Sequence, residues 1–158
     1  MIIGQAPGSK VHASGVPWDD ASGDRLCEWT GLSREALHNP HQVALVPMGF
    51  CYPGKGKSGD LPPRPECAPL WHGKVRQAVP DIRLTLLVGT FAQAAYLPQT
   101  KGWTLRKRIE QFRSFLPEYI PLPHPSWRSG MFMRDNPWFE AEVLPALQKR
   151  IASALTGN

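Results

Sequence analysis

Hydrophobic residues fall along the chain in short continuous runs, separated by long polar stretches rich in glycine and proline. The runs at 1–3, 43–46, 84–88 and 119–122 are too short for helices and lack the alternation of a strand with one wet face. Parallel strands buried on both faces produce this pattern. Helical spacing fills the intervals at 23–30, 33–37, 66–78, 90–97 and 105–115. A last helix is predicted from 137 towards 155, where Phe139, Val143, Leu147 and Ile151 recur on one stripe. Strand, crossover and strand in this order predict an α/β fold, with a parallel sheet covered by helices on both faces.

Composition narrows the class. A chain of 158 residues with 42% hydrophobic content supports one domain with a real core, expected over 1–158. The 17 prolines and 14 glycines lie between the apolar runs, so they punctuate long loops, where function concentrates. A formal net charge of +5 favours a polyanionic partner. No stretch approaches the ~20 apolar residues of a membrane span, and the apolar start is too short for a signal-peptide core. A cytoplasmic protein without membrane attachment is expected. Three widely spaced cysteines, Cys27, Cys51 and Cys67, argue against a disulfide framework and for reduced thiols.

In an open parallel sheet, ligands bind at the carboxyl ends of the strands. All four predicted strands end there in unusual loops: GQAPG, PMGFCYPGKGKSGD, GTFAQ and PHPSWRSG. Gly4, Gly8 and Gly15 permit close backbone approach or positive φ, and a glycine-rich loop can present N–H groups to a carbonyl or phosphate. The opening loop is not a P-loop, because no G-x-x-x-x-G-K pattern is completed. Lys55 and Lys57 leave the same sheet edge and suit non-specific phosphate contact. Lys101, Arg106, Lys107, Arg108 and Arg113 read as a solvated helix face.

GQAPG, followed by Gly15-Val16-Pro17-Trp18 and Gly23, with His124-Pro125-Ser126 after the last strand, resembles the uracil-DNA glycosylase superfamily, nearest its iron–sulfur branch. There the first motif reads GE(G/A)PG, then G-x-P-F, then a glycine opening the next helix. The resemblance runs from Gly4 to the last helix. It implies a three-layer α/β/α sandwich with a four-stranded parallel sheet. It also implies a DNA glycosylase that flips a deaminated or damaged base, uracil first, and hydrolyses its N-glycosidic bond in base-excision repair. The expected partner is DNA containing a modified base, bound by a monomer.

By the same resemblance, Gly4, Ala6, Gly8, Trp18 and Pro47 form the base pocket, with Trp18 at the position of the uracil-stacking phenylalanine. His124 is the catalytic hydrogen-bond donor to the leaving base, acting as an oxyanion-hole group does. Gln5 stands at the family's glutamate and is the second catalytic candidate. Ser126, through its hydroxyl and N–H, and Arg128 are expected on DNA phosphates.

The pattern departs from the branch at Val11, where a carboxylate is expected, at His12 after it, and at Pro47, where an asparagine reads the pyrimidine. These departures favour an alternative, a catalytically weak nucleobase- or damaged-DNA-binding protein on the same fold. A nucleotide-processing enzyme on a similar sheet is a more distant option. Fifteen residues separate Cys51 from Cys67, similar to half of the branch's cluster-binding set, whose C-x-x-C half lies upstream of the first strand. The short first strand points to a truncated start. A longer natural chain could bind an iron–sulfur cluster through Cys51 and Cys67, while this chain is expected to hold no metal and no cofactor.

Overall fold

The computed structural model describes residues 1–157. The chain opens with β1 (Ile2–Gly4), α1 (Ser9–Ser14), α2 (Ala21–Thr30), α3 (Arg34–Leu37) and β2 (Leu45–Pro47). A small hairpin follows, β3 (Lys55–Gly56) and β4 (Gly59–Asp60), and then α4 (Cys67–Ala78), β5 (Thr85–Val88) and α5 (Thr90–Tyr96). The last part comprises α6 (Leu105–Glu110), β6 (Tyr119–Leu122), α7 (Ser129–Asp135) and α8 (Leu144–Thr156).

The four apolar runs are the strands of one sheet in the order β2-β1-β5-β6, with every pairing parallel. Strand order reverses between β1 and β5, because the chain moves outward to β2 and then returns past β1. Such a reversal splays the loops at the carboxyl edge and opens a crevice there. The period of two along the strands sends Ile2, Leu86, Val88, Ile120 and Leu122 into one core with Leu26 and Trp29 of α2, Ile109 of α6, and Leu147 and Ile151 of α8. Ile3 and Leu87 face the other side, with Met48, Ala92 of α5, Leu97 and Phe115. Helices therefore cover both faces of a central sheet, the α/β/α arrangement that the apolar runs require. Among the described residues, no helix is long and apolar enough to cross a membrane.

Side chains of the loops start three of the helices. Asp20 accepts from the Gly23 N–H at 3.0 Å, Ser33 from Ala36 at 3.0 Å, and Thr104 from Lys107 at 3.2 Å, each satisfying a donor that the first turn leaves free. Gln93 of α5 is fully buried and donates to the Leu122 carbonyl at 2.8 Å. The Gly89 N–H donates to the same carbonyl at 2.9 Å, so the end of β6 is held where the HPS loop leaves it.

Several elements differ from the periodicity. The predicted helix at 105–115 stops at Glu110, and Phe112–Phe115 continues as a 3-10 turn. The last stretch begins with a π turn, Phe139–Val143, before α8. The opening loop contains α1, which buries no residue and so carries no apolar face to announce it. The long second loop contains the β3–β4 hairpin, whose strands are two residues each of Lys, Gly and Asp. α7 buries Ser129 alone, so no apolar stripe predicts it.

Leu147 is fully buried on α8, whereas Lys149 on the same helix is exposed. Leu147→Ala is expected to lower unfolding free energy by about 2–5 kcal/mol, and Lys149→Ala to leave it nearly unchanged, as read by urea denaturation.

Candidate active site

A cleft of about 770 Å³ lies at the carboxyl ends of the strands. Gly4, Gln5, Ala6, Gly8, Trp18, Pro47, His124, Ser126 and Arg128 all line it, brought together from the loops after β1, β2 and β6. Lys55 and Lys57 do not line it. They are exposed on the hairpin, whose residues 58–61 form one wall. The loop after β5 also stays out of the lining, contrary to the expected convergence of all four loops. Gly89, at φ 86°, turns directly into α5, and a Cβ there would lie 3.7 Å from the Cβ of His124. That loop therefore backs the histidine instead of walling the cleft.

Trp18 is the one non-glycine residue at positive φ among the described residues, at 60°. Such a backbone costs on the order of 1 kcal/mol and persists only when its surroundings enforce it. Two glycines make the room. A Cβ on Gly4 would stand 2.8 Å from Cζ2 of Trp18, and a Cβ on Gly23 would stand 1.9 Å from its carbonyl oxygen. The Arg34 guanidinium donates to that carbonyl and, at 2.9 Å, to the Asp20 carbonyl. Asp24 orients Arg34 through an ion pair at 2.6 Å. His38 Nε2 donates to the neighbouring Pro17 carbonyl at 2.7 Å. So held, the indole faces His124 with ring centroids 6.0 Å apart and planes at 31°.

Burial lowers the His124 imidazole below its ordinary pKa, and the charge of Asp20 opposes the shift only in part. The ring is therefore neutral at pH 7 and has one N–H to donate. Its loop is stitched from within. The Ser126 N–H donates to the His124 carbonyl at 2.8 Å, which corrects the expectation that this N–H meets a phosphate. The Ser126 hydroxyl makes no hydrogen bond among the described residues and is left to meet a phosphate. Arg25 of α2 donates to the Ser126 carbonyl at 3.1 Å and to the Ser129 hydroxyl at 2.8 Å, and that hydroxyl donates to Ser126 O at 2.7 Å. Sequence reading missed Arg25, because its partners lie 101 and 104 positions away.

Pro47 presents only its ring, since its carbonyl accepts from His72 Nε2 at 3.0 Å while the Tyr96 hydroxyl donates to His72 Nδ1 at 2.7 Å. The Gln5 carboxamide makes no hydrogen bond among the described residues and offers the cleft a donor and an acceptor. Trp127, also missed from the sequence, lines the cleft at 78% exposure with the Arg128 guanidinium 5.2 Å over its ring. The basic segment has structural roles. Arg108 is buried and donates to the Thr100 hydroxyl at 2.7 Å, Lys107 stacks on Trp103, and Arg113 pairs with Glu142 at 3.0 Å. Cys51 is exposed, and Cys67 opens α4. Among the described residues, no group of three or more His, Cys, Asp or Glu is placed to hold a metal ion.

The family model of the uracil DNA glycosylase superfamily matches residues 1–148 of the chain.

Gly23→Ala is expected to remove on the order of 3 kcal/mol of stability, because the added methyl meets backbone that cannot retreat; denaturant titration measures it. The sign of the His124 shift sets a second expectation. The unfolded chain binds the proton first, so this group's contribution to stability is complete above about pH 6.5 and is lost as pH falls through that value. His124→Asn should reduce the difference in unfolding free energy between about pH 7.5 and about pH 5.5.

Proposed function

Because the chain belongs to the uracil DNA glycosylase superfamily, we propose that it is a DNA glycosylase that flips a deaminated base, uracil first, into the cleft and hydrolyses its N-glycosidic bond. The observation that carries this reading is the Trp18 indole standing opposite a neutral, half-buried His124 inside one cleft. A base cannot be reached inside the duplex stack, so chemistry on it requires extrusion into such a pocket. The flipped ring stacks on Trp18. As the bond from C1′ to the ring nitrogen breaks, its electron pair moves onto the base, and the His124 N–H meets the oxygen where that charge collects. A donor fixed in a partly dry site needs no reorganisation at that moment, which is why a neutral imidazole suffices.

The remaining groups serve position. Arg128 and the Ser126 hydroxyl line the cleft beside His124, and Lys55 and Lys57 extend positive charge along the hairpin, where contacts to phosphate add affinity and salt dependence. Trp127 is an apolar side chain at the cleft mouth, suited to fill the stack that the flipped base vacates. Gln5 supports the base or the attacking water through its amide, which has no basicity of its own. One observation favours the second reading, a binding protein of low activity: Val11 and Pro47 line the cleft without a side-chain donor or acceptor.

Single-turnover release of free base from modified oligonucleotides, single- and double-stranded, tests the proposal. His124→Ala is expected to slow release on the order of 10²-fold or more. Trp18→Ala is expected to weaken binding of the flipped base by roughly 1–3 kcal/mol. Equal release by wild type and His124→Ala would remove the histidine from the mechanism. Tight binding of modified DNA with no release from any substrate would establish the binding reading.

A further inference from the structure

Hydrolysis at C1′ needs more than a stabilised leaving group. An attacking water must lose a proton, and positive charge developing on the sugar is relieved by a nearby carboxylate. None of the groups placed above supplies either. Gln5 is not basic, Val11 is hydrocarbon, and His124 is assigned to the base. Two carboxylates line the cleft, Asp20 and Asp60. Asp20 is committed to the first turn of α2, where its Oδ1 accepts from Gly23 at 3.0 Å.

Asp60 is not committed in this way. It ends the hairpin, paired with Lys55 across the two strands. Its Oδ1 accepts from the Tyr52 hydroxyl at 3.3 Å, and its Oδ2 makes no hydrogen bond among the described residues. A Cβ on Gly8 would lie 3.6 Å from that Oδ2, so the carboxylate stands over the opening loop at the entrance to α1. Val11 is one turn along the same short helix, where the His12 N–H bonds the Gly8 carbonyl at 2.8 Å. The His12 ring flanks Tyr52, with centroids 5.8 Å apart. The hairpin thus brings a free carboxylate oxygen to the wall where α1 itself offers only valine.

We propose that Asp60 is the catalytic carboxylate of the reaction, with Tyr52 as its positioning residue. This rests on the glycosylase reading above. The water oxygen bonds to C1′ as the bond from C1′ to the ring nitrogen breaks. The electron pair of that bond leaves with the base towards the His124 N–H, and the water proton passes to Oδ2 of Asp60. Asp60 then returns the proton to the departing base or to solvent, which restores the carboxylate. The co-reactant is water alone.

The test is single-turnover release from uracil-containing single- and double-stranded oligonucleotides, with affinity for the same oligonucleotides and thermal stability measured in parallel. Asp60→Asn is expected to slow release about 10²-fold or more, with melting temperature unchanged and affinity unchanged or tighter, since a negative charge near phosphate is removed. Asp60→Glu should restore part of the rate, and Tyr52→Phe should lower it less than Asp60→Asn. Release by Asp60→Asn equal to wild type would overturn the role of Asp60 while leaving the glycosylase reading intact. Loss of affinity and stability together with release, without rescue by Asp60→Glu, would make Asp60 structural and overturn the proposal too. No release by wild type from any oligonucleotide would remove the reading on which the proposal rests.

Discussion

The Arg34 guanidinium, seated on the carbonyl of Trp18, is the contact on which the cleft depends. Trp18 has a left-handed backbone that a residue with a side chain avoids, so something outside the loop must enforce it. Arg34 does so with a charge-assisted bond, and Asp24 fixes Arg34 in turn. Gly23 permits the approach by having no Cβ, and Gly4 lets the indole lie against the end of β1. The ring that faces His124 is therefore set by a backbone carbonyl, not by packing of the ring alone.

Helix α2, which carries Gly23 and Asp24, also reaches the opposite wall. Arg25 of α2 reaches the Ser126 carbonyl and the Ser129 hydroxyl, while Gly23 in the first turn of that helix lies against the Trp18 carbonyl. Leu26 and Trp29 tie α2 into the larger core against α8. Both walls of the cleft thus make contact with α2. A catalytic donor and a stacking surface have to hold their separation within fractions of an ångström for a bound base to meet both. Anchoring both to a core helix meets that requirement, although both lie on loops.

Charge is divided by depth. Among the basic residues, Arg128 lies exposed at the cleft and Lys55 and Lys57 on the hairpin beside it, while Arg108 and Arg34 serve the fold. Inside the cleft, burial keeps His124 neutral. Exposed cations act at range on a polyanion and are screened by salt, whereas a half-buried dipole acts at contact and is not. In the proposed reaction, affinity for the polymer and chemistry on one base fall to different residues.

The sheet was legible because burying a strand on both faces leaves a continuous apolar run, which needs no knowledge of what lies opposite. Residues 1–3, 43–46, 84–88 and 119–122 carried that mark, and the α8 stripe carried the helical one. Trp18, His124 and the glycine loop were legible for a different reason, since they sit in contiguous motifs. α1, the hairpin and α7 were not, because elements that bury almost nothing leave no periodic trace. Arg25, Arg34 and Asp60 were invisible in the same sense: a guanidinium or carboxylate looks alike whether it is solvated or holds a loop. Local pattern determined the four strands of the sheet and the helices that bury an apolar stripe, and it marked the loops after β1, β2 and β6 that meet in the cleft. Only the tertiary structure decided which charges meet those loops, because long-range partners are chosen by the order of strands in space and not by their order in the chain.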